Sequence, residues 1–222
     1  MSEKYLTITG ANRGIGLALT MLYKKRGFHV TACCRNSSDE LNECADRVVE
    51  GVSLTSTDAI ETTIESLQNS PIDLLINNAG MWYDESIDAM EMPKIAEQMQ
   101  TNALAPLQIT TGLLPQIRSG GKIAMVSSRM GSIGDNSSGG RYGYRASKAA
   151  LNAFSRSLAM DLRDRDISVA ILHPGLVSTR MINFAGDLTP EQSAAGLAMR
   201  IDELNLTNSG TFWHQNGDVL PW

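Results

Sequence analysis

Short apolar segments alternate with helical patterns along the whole chain, and this alternation restricts the fold more than any other feature. Strand patterns lie at 5–9, 28–34, 48–54, 72–77, 122–127, 167–173 and near 210–214. Helical patterns fill the intervals at 14–26, 57–68, about 93–118, 144–164 and 190–204. Apolar strands separated by helices form a parallel sheet that is covered on both faces. The 222 residues are therefore predicted to form a single α/β domain over 1–222, with a doubly wound sheet of about seven strands.

Composition narrows the class of protein. The net charge of −5 disfavours nucleic acid or an anionic membrane as a partner. No apolar run reaches the roughly 20 residues that span a bilayer, and the first strand follows Met1 too closely to leave room for a signal peptide. Cys33, Cys34 and Cys44 have neither a C-x-x-C nor a metal-ligand spacing. The sequence predicts a cytoplasmic protein with reduced thiols, no membrane partner and no metal site.

A glycine-rich turn follows the first strand pattern and opens the first helical pattern. Gly10, Gly14 and Gly16 have the spacing G-x3-G-x-G. Glycines at such a turn let a pyrophosphate approach the backbone, and the free N–H groups at the helix start hold the anion. The spacing differs from the usual G-x-G-x-x-G, so an ordinary strand–helix turn is the alternative interpretation.

Tyr144 and Lys148 are four residues apart at the start of a long helical pattern. One helical turn separates them, so the phenol and the ammonium project from one face. A nearby positive charge lowers the pKa of a phenol, and a hydride-transfer enzyme needs a tyrosine whose proton moves easily when a carbonyl becomes an alcohol. The spacing alone also arises by chance, and Tyr142 has no lysine four residues later. The pair acquires weight from the polar residues predicted at the carboxyl ends of neighbouring strands, where such sheets bind ligands.

Together these motifs resemble the short-chain dehydrogenase/reductase family, and within it the C-factor-like and carbonyl-reductase-like group. The matching stretches are 9–16, 77–80, Asn102, 127–131, 142–152, 173–179 and the C-terminal 216–222. The resemblance covers essentially the whole chain and implies a Rossmann-type fold that binds NAD(P).

The resemblance also implies a catalytic set. Ser128 would hydrogen-bond the substrate oxygen, and Tyr144 would donate the proton in reduction or accept it in oxidation. Lys148 would lower the pKa of Tyr144 and hold the nicotinamide ribose. Asn102 would anchor a water through its backbone and complete a proton relay. For Ser127, a structural role at the strand end is preferred.

For the cofactor, the resemblance implies contacts from the glycine turn and from the ends of three strands. The residues are Gly10, Asn12, Arg13, Gly14, Ile15, Gly16, Arg35, Asn78, Ala79, Gly80, Tyr144, Lys148, Pro174, Gly175, Val177 and Thr179. One departure is Ser53, which stands where many relatives carry the acid that holds the adenine amino group. The second strand pattern ends without the acidic residue that selects NAD. Arg35 follows it instead, with Arg13 in the turn, which predicts NADP(H) over NAD(H).

The substrate is the least constrained part of the interpretation. Apolar and aromatic residues, among them Trp82, Met130, Tyr142 and Met181, favour a hydrophobic small-molecule carbonyl compound, with core or subunit contacts as their alternative role. Arg129, Arg141 and Arg180 lie near enough to be tested as anion contacts. The apolar helices near 93–118 and 144–164 predict a homodimer or tetramer. A dinucleotide-binding signalling protein of the C-factor type, with little or no catalysis, is the alternative function.

Overall fold

The computed structural model describes residues 3–222. A single seven-stranded sheet, all parallel, runs through the molecule in the order β3-β2-β1-β4-β5-β6-β7. The strands are β1 (Lys4–Thr9), β2 (Phe28–Cys33), β3 (Arg47–Val49), β4 (Ile72–Asn77), β5 (Ile117–Val126), β6 (Ser168–His173) and β7 (Phe212–His214). The predicted doubly wound sheet is therefore confirmed.

Helices cover both faces of this sheet. They are α1 (Gly14–Lys25), α2 (Asp39–Cys44), α3 (Thr57–Ser66), α4 (Met92–Met99), α5 (Ala105–Leu113), α6 (Tyr142–Asp161) and α7 (Pro190–Glu203). Alternate residues of each strand point to opposite faces. One apolar cluster accordingly joins Leu6 and Ile8 of β1 to α1 and α7. A second cluster joins Leu75 of β4 and Ile123 of β5 to α3, α5 and α6.

The predicted helix at 93–118 is the largest error of the sequence analysis. The chain forms α4, one wide π turn (Gln100–Leu104) and then α5, and β5 already begins at Ile117. Pro106 has no N–H for the carbonyl of Asn102 four residues earlier, and its ring crowds that carbonyl. The helix widens there, and the N–H of Ala105 reaches back to the carbonyl of Gln100. Pro115 then stops the helical path.

Two smaller differences lie on the other side of the sheet. The third strand ends at Val49 rather than continuing to residue 54. The short helix α2 was not predicted, although Ser38 caps it by accepting a 3.3 Å hydrogen bond from the N–H of Leu41. Six residues are too few to show helical periodicity. Within residues 3–222, no helix has the length and apolar character needed to cross a bilayer.

Candidate active site

The predicted site residues collect at the carboxyl edge of the sheet. The glycine turn follows β1, Asn78 and Gly80 follow β4, Ser128 follows β5, and Pro174 follows β6. Parallel strands bring these ends to one edge because all of them point the same way. The α6 residues reach the same edge, since Lys148 bonds the end of β5.

The glycine turn has a conformation and packing that exclude side chains at its three glycines. Gly10 and Gly14 have φ values of 66° and 54°, in the region that favours glycine. A Cβ on Gly10 would lie 2.7 Å from the Cα of Ala79. A Cβ on Gly16 would overlap the carbonyl oxygen of Gly10 and lie 2.6 Å from the Asn78 amide nitrogen. Close packing of the turn therefore requires glycine at these positions, and no acid occupies the first turn of α1. These features fit the pyrophosphate of a dinucleotide.

Polar side chains tie the strand-end loops to this turn. The Asn78 side-chain amide donates to the carbonyls of Thr9 (3.1 Å) and Gly10 (3.0 Å). The Asn12 amide donates 2.9 Å to the carbonyl of Asn36, beyond β2. Thr179, from the loop after β6, packs against the site of Gly14. The fold thus brings Asn78, Asn12 and Thr179 to the glycine turn. The side chains of Asn78 and Asn12 hold neighbouring backbone segments in place through their hydrogen bonds.

Arg13 and Arg35 flank the turn with exposed side chains. Arg13 precedes α1, with Ile15 in its first turn, and Arg35 directly follows Cys34 beyond β2. In the chain from residue 3 onward, neither guanidinium takes part in an ion pair. Both are therefore available to a phosphate at this end of the site. Ser53 bonds Thr55, with 2.9 Å between the hydroxyl oxygens.

Tyr144 and Lys148 are neighbours on α6, as their spacing predicts. The Lys148 Nζ lies 5.9 Å from the centroid of the Tyr144 ring. Burial lowers the pKa of Lys148 to about 8. Burial also raises the pKa of Tyr144, and the adjacent Ser128 hydroxyl acts in the opposite direction. The expected lowering of the phenol pKa is not seen in this state, because removal from water disfavours the phenolate more than its surroundings favour it.

Ser128 and Asn102 lie beside this pair. The Ser128 oxygen accepts a 3.2 Å hydrogen bond from the N–H of Met130, and its hydroxyl lies beside the Tyr144 phenol. Asn102 lies in the π turn, where its side chain bonds both the N–H and the carbonyl of Met81 at 2.8 Å. Its amide also donates 3.0 Å to Ser147 on α6. A Cβ on Gly80 would lie 3.3 Å from the Asn102 oxygen and 3.7 Å from the Lys148 Nζ, so Gly80, Asn102 and Lys148 meet at one point.

Ser127 takes a different direction from Ser128. Its hydroxyl donates 2.6 Å to Asn152, inside the packed face of α6. This contact fits a structural role at the strand end.

The four predicted substrate-side residues occupy different positions. The Trp82 ring lies 5.9 Å from the Tyr144 ring, tilted by 36°. Met130 follows Ser128 and lines a surface hollow of about 200 Å³. Tyr142 and Met181 are exposed, at the first residue of α6 and in the turn after Thr179. Of the two aromatic residues among the four, Trp82 is the one whose ring packs against Tyr144.

Beyond the cofactor turn, Val177 is buried and pairs with Leu188 across the loop that follows Gly175. The Pro174 carbonyl accepts a 2.7 Å hydrogen bond from Ser193 on α7. His173, just before Pro174, packs edge-on against His214 at 4.9 Å. Burial, with His214 next, lowers the pKa of His173 to about 3.

A buried polar group that the sequence did not predict lies beside Gly143. Glu85 is 3% exposed, and its carboxylate accepts a hydrogen bond from the Gln98 amide. The Gln98 oxygen accepts 2.9 Å from the N–H of Tyr83. The side chains of Gln98 and Glu85 both pack against Gly143, the residue before Tyr144. No spacing signal could have found them, because Glu85 lies in an irregular loop.

Comparisons with known proteins agree with this geometry. The model of the family described as short chain dehydrogenase matches residues 4–187. The chain belongs to the short-chain dehydrogenase family. It is an NAD(P)-dependent oxidoreductase of that family, with the fold just described.

Three similar proteins place this short-chain dehydrogenase among its relatives. A 1-hydroxy-2-glutathionyl-2-methyl-3-butene dehydrogenase of a Rhodococcus species is 37% identical, over 97% of this chain and 98% of the relative. The C-signal of Myxococcus xanthus is 41% identical, over 68% of this chain and 93% of the relative. A carbonyl reductase from Pseudomonas aeruginosa, solved in complex with NADP, has a TM-score of 0.86 and 34% identity, with both chains fully covered.

Proposed function

We propose that this short-chain dehydrogenase is an NADPH-dependent reductase of hydrophobic aldehydes or ketones, and that it also oxidises the corresponding alcohols. The observation that carries the proposal is the Tyr144–Lys148 pair on α6, with the Lys148 Nζ 5.9 Å from the phenol ring and Ser128 beside it. Likeness to a carbonyl reductase solved with NADP supports the same chemistry.

Each candidate catalytic residue has a role that its position allows. When bound, NADPH supplies the hydride. Ser128 donates a hydrogen bond to the carbonyl oxygen, and Tyr144 gives that oxygen its proton. Raised phenol pKa values keep Tyr144 protonated at neutral pH, which suits a proton donor. Lys148 supports the developing phenolate, since its buried ammonium lies 5.9 Å from the centroid of the phenol ring.

Asn102 completes the proton path through its backbone. Its carbonyl lacks the usual helical partner, because Pro106 has no N–H. That oxygen can hold a water near Lys148, while the side chain stays bonded to Met81.

Cofactor choice follows from the two unpaired arginines. Arg13 and Arg35 can share the phosphate on the adenosine ribose of NADP, and the segment after β2 carries no acid before Asp39. We therefore propose NADP(H) over NAD(H).

A second candidate uses the same residues in the oxidising direction. The Rhodococcus relative is named for a dehydrogenase of a glutathionyl alcohol, and it matches this chain over nearly its full length. A thioether-bearing alcohol is therefore a substrate class to include in any screen. The likeness to C-signal supports the signalling alternative, but a protein that only binds a dinucleotide has no need of Ser128, Tyr144 and Lys148 together.

We further propose a homodimer or tetramer. The helices α4, α5 and α6 carry half-buried apolar residues such as Leu107, Ala150 and Phe154. Side-chain atoms of Gln100 and Gln108 are buried without a hydrogen-bond partner among the described residues. Sedimentation of the protein at micromolar concentration tests this, and a monomer mass would contradict it. Cytoplasmic residence remains a prediction of the sequence.

One screen tests the proposed function. Purified protein is mixed with NADPH and a panel of aldehydes, ketones and quinones, and NADPH absorbance is followed. The reverse reaction is run with NADP and alcohols, including a glutathionyl alcohol. Turnover of at least one compound, abolished in the Tyr144→Phe variant, supports the proposal. Cofactor binding without turnover of any compound favours the signalling alternative.

A further inference from the structure

Arg141 is held in an unusual backbone conformation beside the candidate active site. Its φ and ψ are 55° and 45°, the left-handed region that side chains other than glycine rarely adopt. The N–H of Arg141 donates 2.8 Å to the Glu85 carbonyl, and its carbonyl accepts 3.0 Å from the N–H of Arg145. Backbone strain that the surroundings impose collects at functional sites. The strain here fixes where the Arg141 side chain leaves the backbone.

The guanidinium of Arg141 lies over an aromatic ring that reaches Tyr144. Its Cζ is 5.5 Å from the centroid of Trp82, and the Trp82 ring is 5.9 Å from the Tyr144 ring. Stacking on an aromatic face orients a guanidinium without using its N–H donors. Arg141 is therefore a fixed positive charge one aromatic ring beyond the candidate proton donor.

Arg141 makes only a weak ion pair, with Asp84, in this structure. Its Nε lies 3.2 Å from a carboxylate oxygen of Asp84, whose side chain is 72% exposed. Exposed ion pairs contribute little to stability, so another carboxylate can replace Asp84 at small cost. Of the neighbouring charges, Arg145 bonds the Gly140 carbonyl and the Ser138 hydroxyl. Glu85 accepts from Gln98 through one carboxylate oxygen, and its other oxygen is buried without a partner among the described residues.

We propose that Arg141 binds a carboxylate of the substrate, so that the site takes carbonyl compounds with an acidic group several bonds from the reacting carbon. The guanidinium lies 5.5 Å and the Tyr144 ring 5.9 Å from the Trp82 ring, so a carbonyl at Tyr144 and a carboxylate at Arg141 would both lie beside Trp82. An apolar spacer between carbonyl and carboxylate would run past Trp82. This inference rests on the proposed reduction at Tyr144 and deepens it by naming the substrate class.

Pairs of substrates that differ only in the negative charge of the carboxylate test the proposed contact with Arg141. Azelaic semialdehyde and para-formylbenzoate each pair with their methyl esters, which keep the carbonyl and remove the negative charge. Turnover with NADPH and calorimetric binding to the NADP-loaded protein are measured for each pair. We expect the acid to be preferred over its ester by about tenfold or more, since charge-assisted hydrogen bonds are the strong ones.

Three variants test whether Arg141 causes the preference for the acid over its ester. Arg141→Gln should reduce the acid-to-ester ratio to near one, in both kcat/KM and affinity. Asp84→Asn removes the competing carboxylate and should raise the ratio severalfold, and it should fold normally because the Asp84 side chain is exposed. Arg145→Gln removes a positive charge one helical turn away and should leave the ratio unchanged.

The outcomes separate this inference from the proposed function. Acid binding that depends on Arg141, without turnover of acid or ester, would support the carboxylate site and contradict the reductase. Turnover of acid and ester at equal efficiency in the wild-type protein would overturn the carboxylate site and leave the reductase intact. A preference that survives Arg141→Gln, or falls equally in Arg145→Gln, would also overturn it.

Discussion

Lys148 donates a 2.8 Å hydrogen bond to the backbone carbonyl of Val126, the last residue of β5. This bond connects Lys148 to the strand that precedes Ser128. Lys148 is 4% exposed, and its amine also lies near Gly80. The position of one ammonium therefore links α6, β5 and the loop after β4.

Replacing Lys148 by Met should damage two properties together. Loss of the charge beside Tyr144 should lower kcat by roughly 100-fold or more, the usual scale of acid–base assistance. NADPH affinity should fall by about 1 kcal/mol for one lost hydrogen bond. Steady-state kinetics and NADPH fluorescence titration measure the two effects. Lys122→Met is the control, because Lys122 bonds the Ile201 carbonyl at the other end of the sheet. Loss of only one property would contradict a dual role.

The pKa of Lys148 predicts a pH dependence of stability in the cofactor-free protein. Its folded pKa of about 8 lies below the ordinary 10.5, so the unfolded chain binds the proton more tightly. Between these values the folded state has lost the proton and the unfolded state keeps it. Stability should therefore rise with pH across this window, by at most about 1.4 kcal/mol per pH unit. The difference in unfolding free energy between wild type and Lys148→Met should follow this slope. A flat difference would place the pKa of Lys148 near its ordinary value.

Gly143 should be intolerant of a side chain. A Cβ there would lie 2.8 Å from the Glu85 carboxylate and would overlap the Gln98 amide. Gly143→Ala should cost about 1–3 kcal/mol of stability, as overpacking usually does. Combining it with Gln98→Ala opens space, so the double variant should lose less than the sum of the single changes. Denaturant unfolding of all four proteins measures the coupling, and strict additivity would argue against the contact.

The two arginines beside the glycine turn predict cofactor selectivity. Arg13→Ala combined with Arg35→Ala should weaken NADPH binding by about 2–3 kcal/mol, allowing for exposure of both side chains. NADH binding should barely change, because it lacks the extra phosphate. Arg118→Ala is the control, since Arg118 pairs with Asp73 at the opposite end of the sheet. An equal loss for both cofactors, or a wild-type preference for NADH, would contradict the assignment.

The sequence alone predicted those features that local spacing determines. Tyr144 and Lys148 are one helical turn apart, so their proximity follows from the helix itself. Gly10 and Gly16 follow a strand and begin a helix, so their turn was also predictable. The wide turn at Asn102 did not follow from the apolar pattern, because helical periodicity continues through it and only Pro106, four residues after Asn102, marks the change.

Features that depend on the path of a loop could not be predicted. Trp82 was proposed as a pocket residue, but its place between Tyr144 and Arg141 depends on how the loop after β4 folds. That loop is held by Asn102 bonding Met81 and by Gln98 bonding Tyr83. These contacts join residues 15 and 21 positions apart, and no periodic pattern encodes them.

The proposed reduction requires Tyr144 to give its proton to the substrate oxygen. A single-turnover experiment with NADPH and a confirmed carbonyl substrate tests it most directly, with wild type compared to Tyr144→Phe. The variant keeps the ring against Trp82 and loses only the hydroxyl, so NADPH affinity should be nearly unchanged. The rate of NADPH oxidation should fall by roughly 10²–10⁴-fold. Oxidation by Tyr144→Phe at a rate close to wild type would contradict the claim.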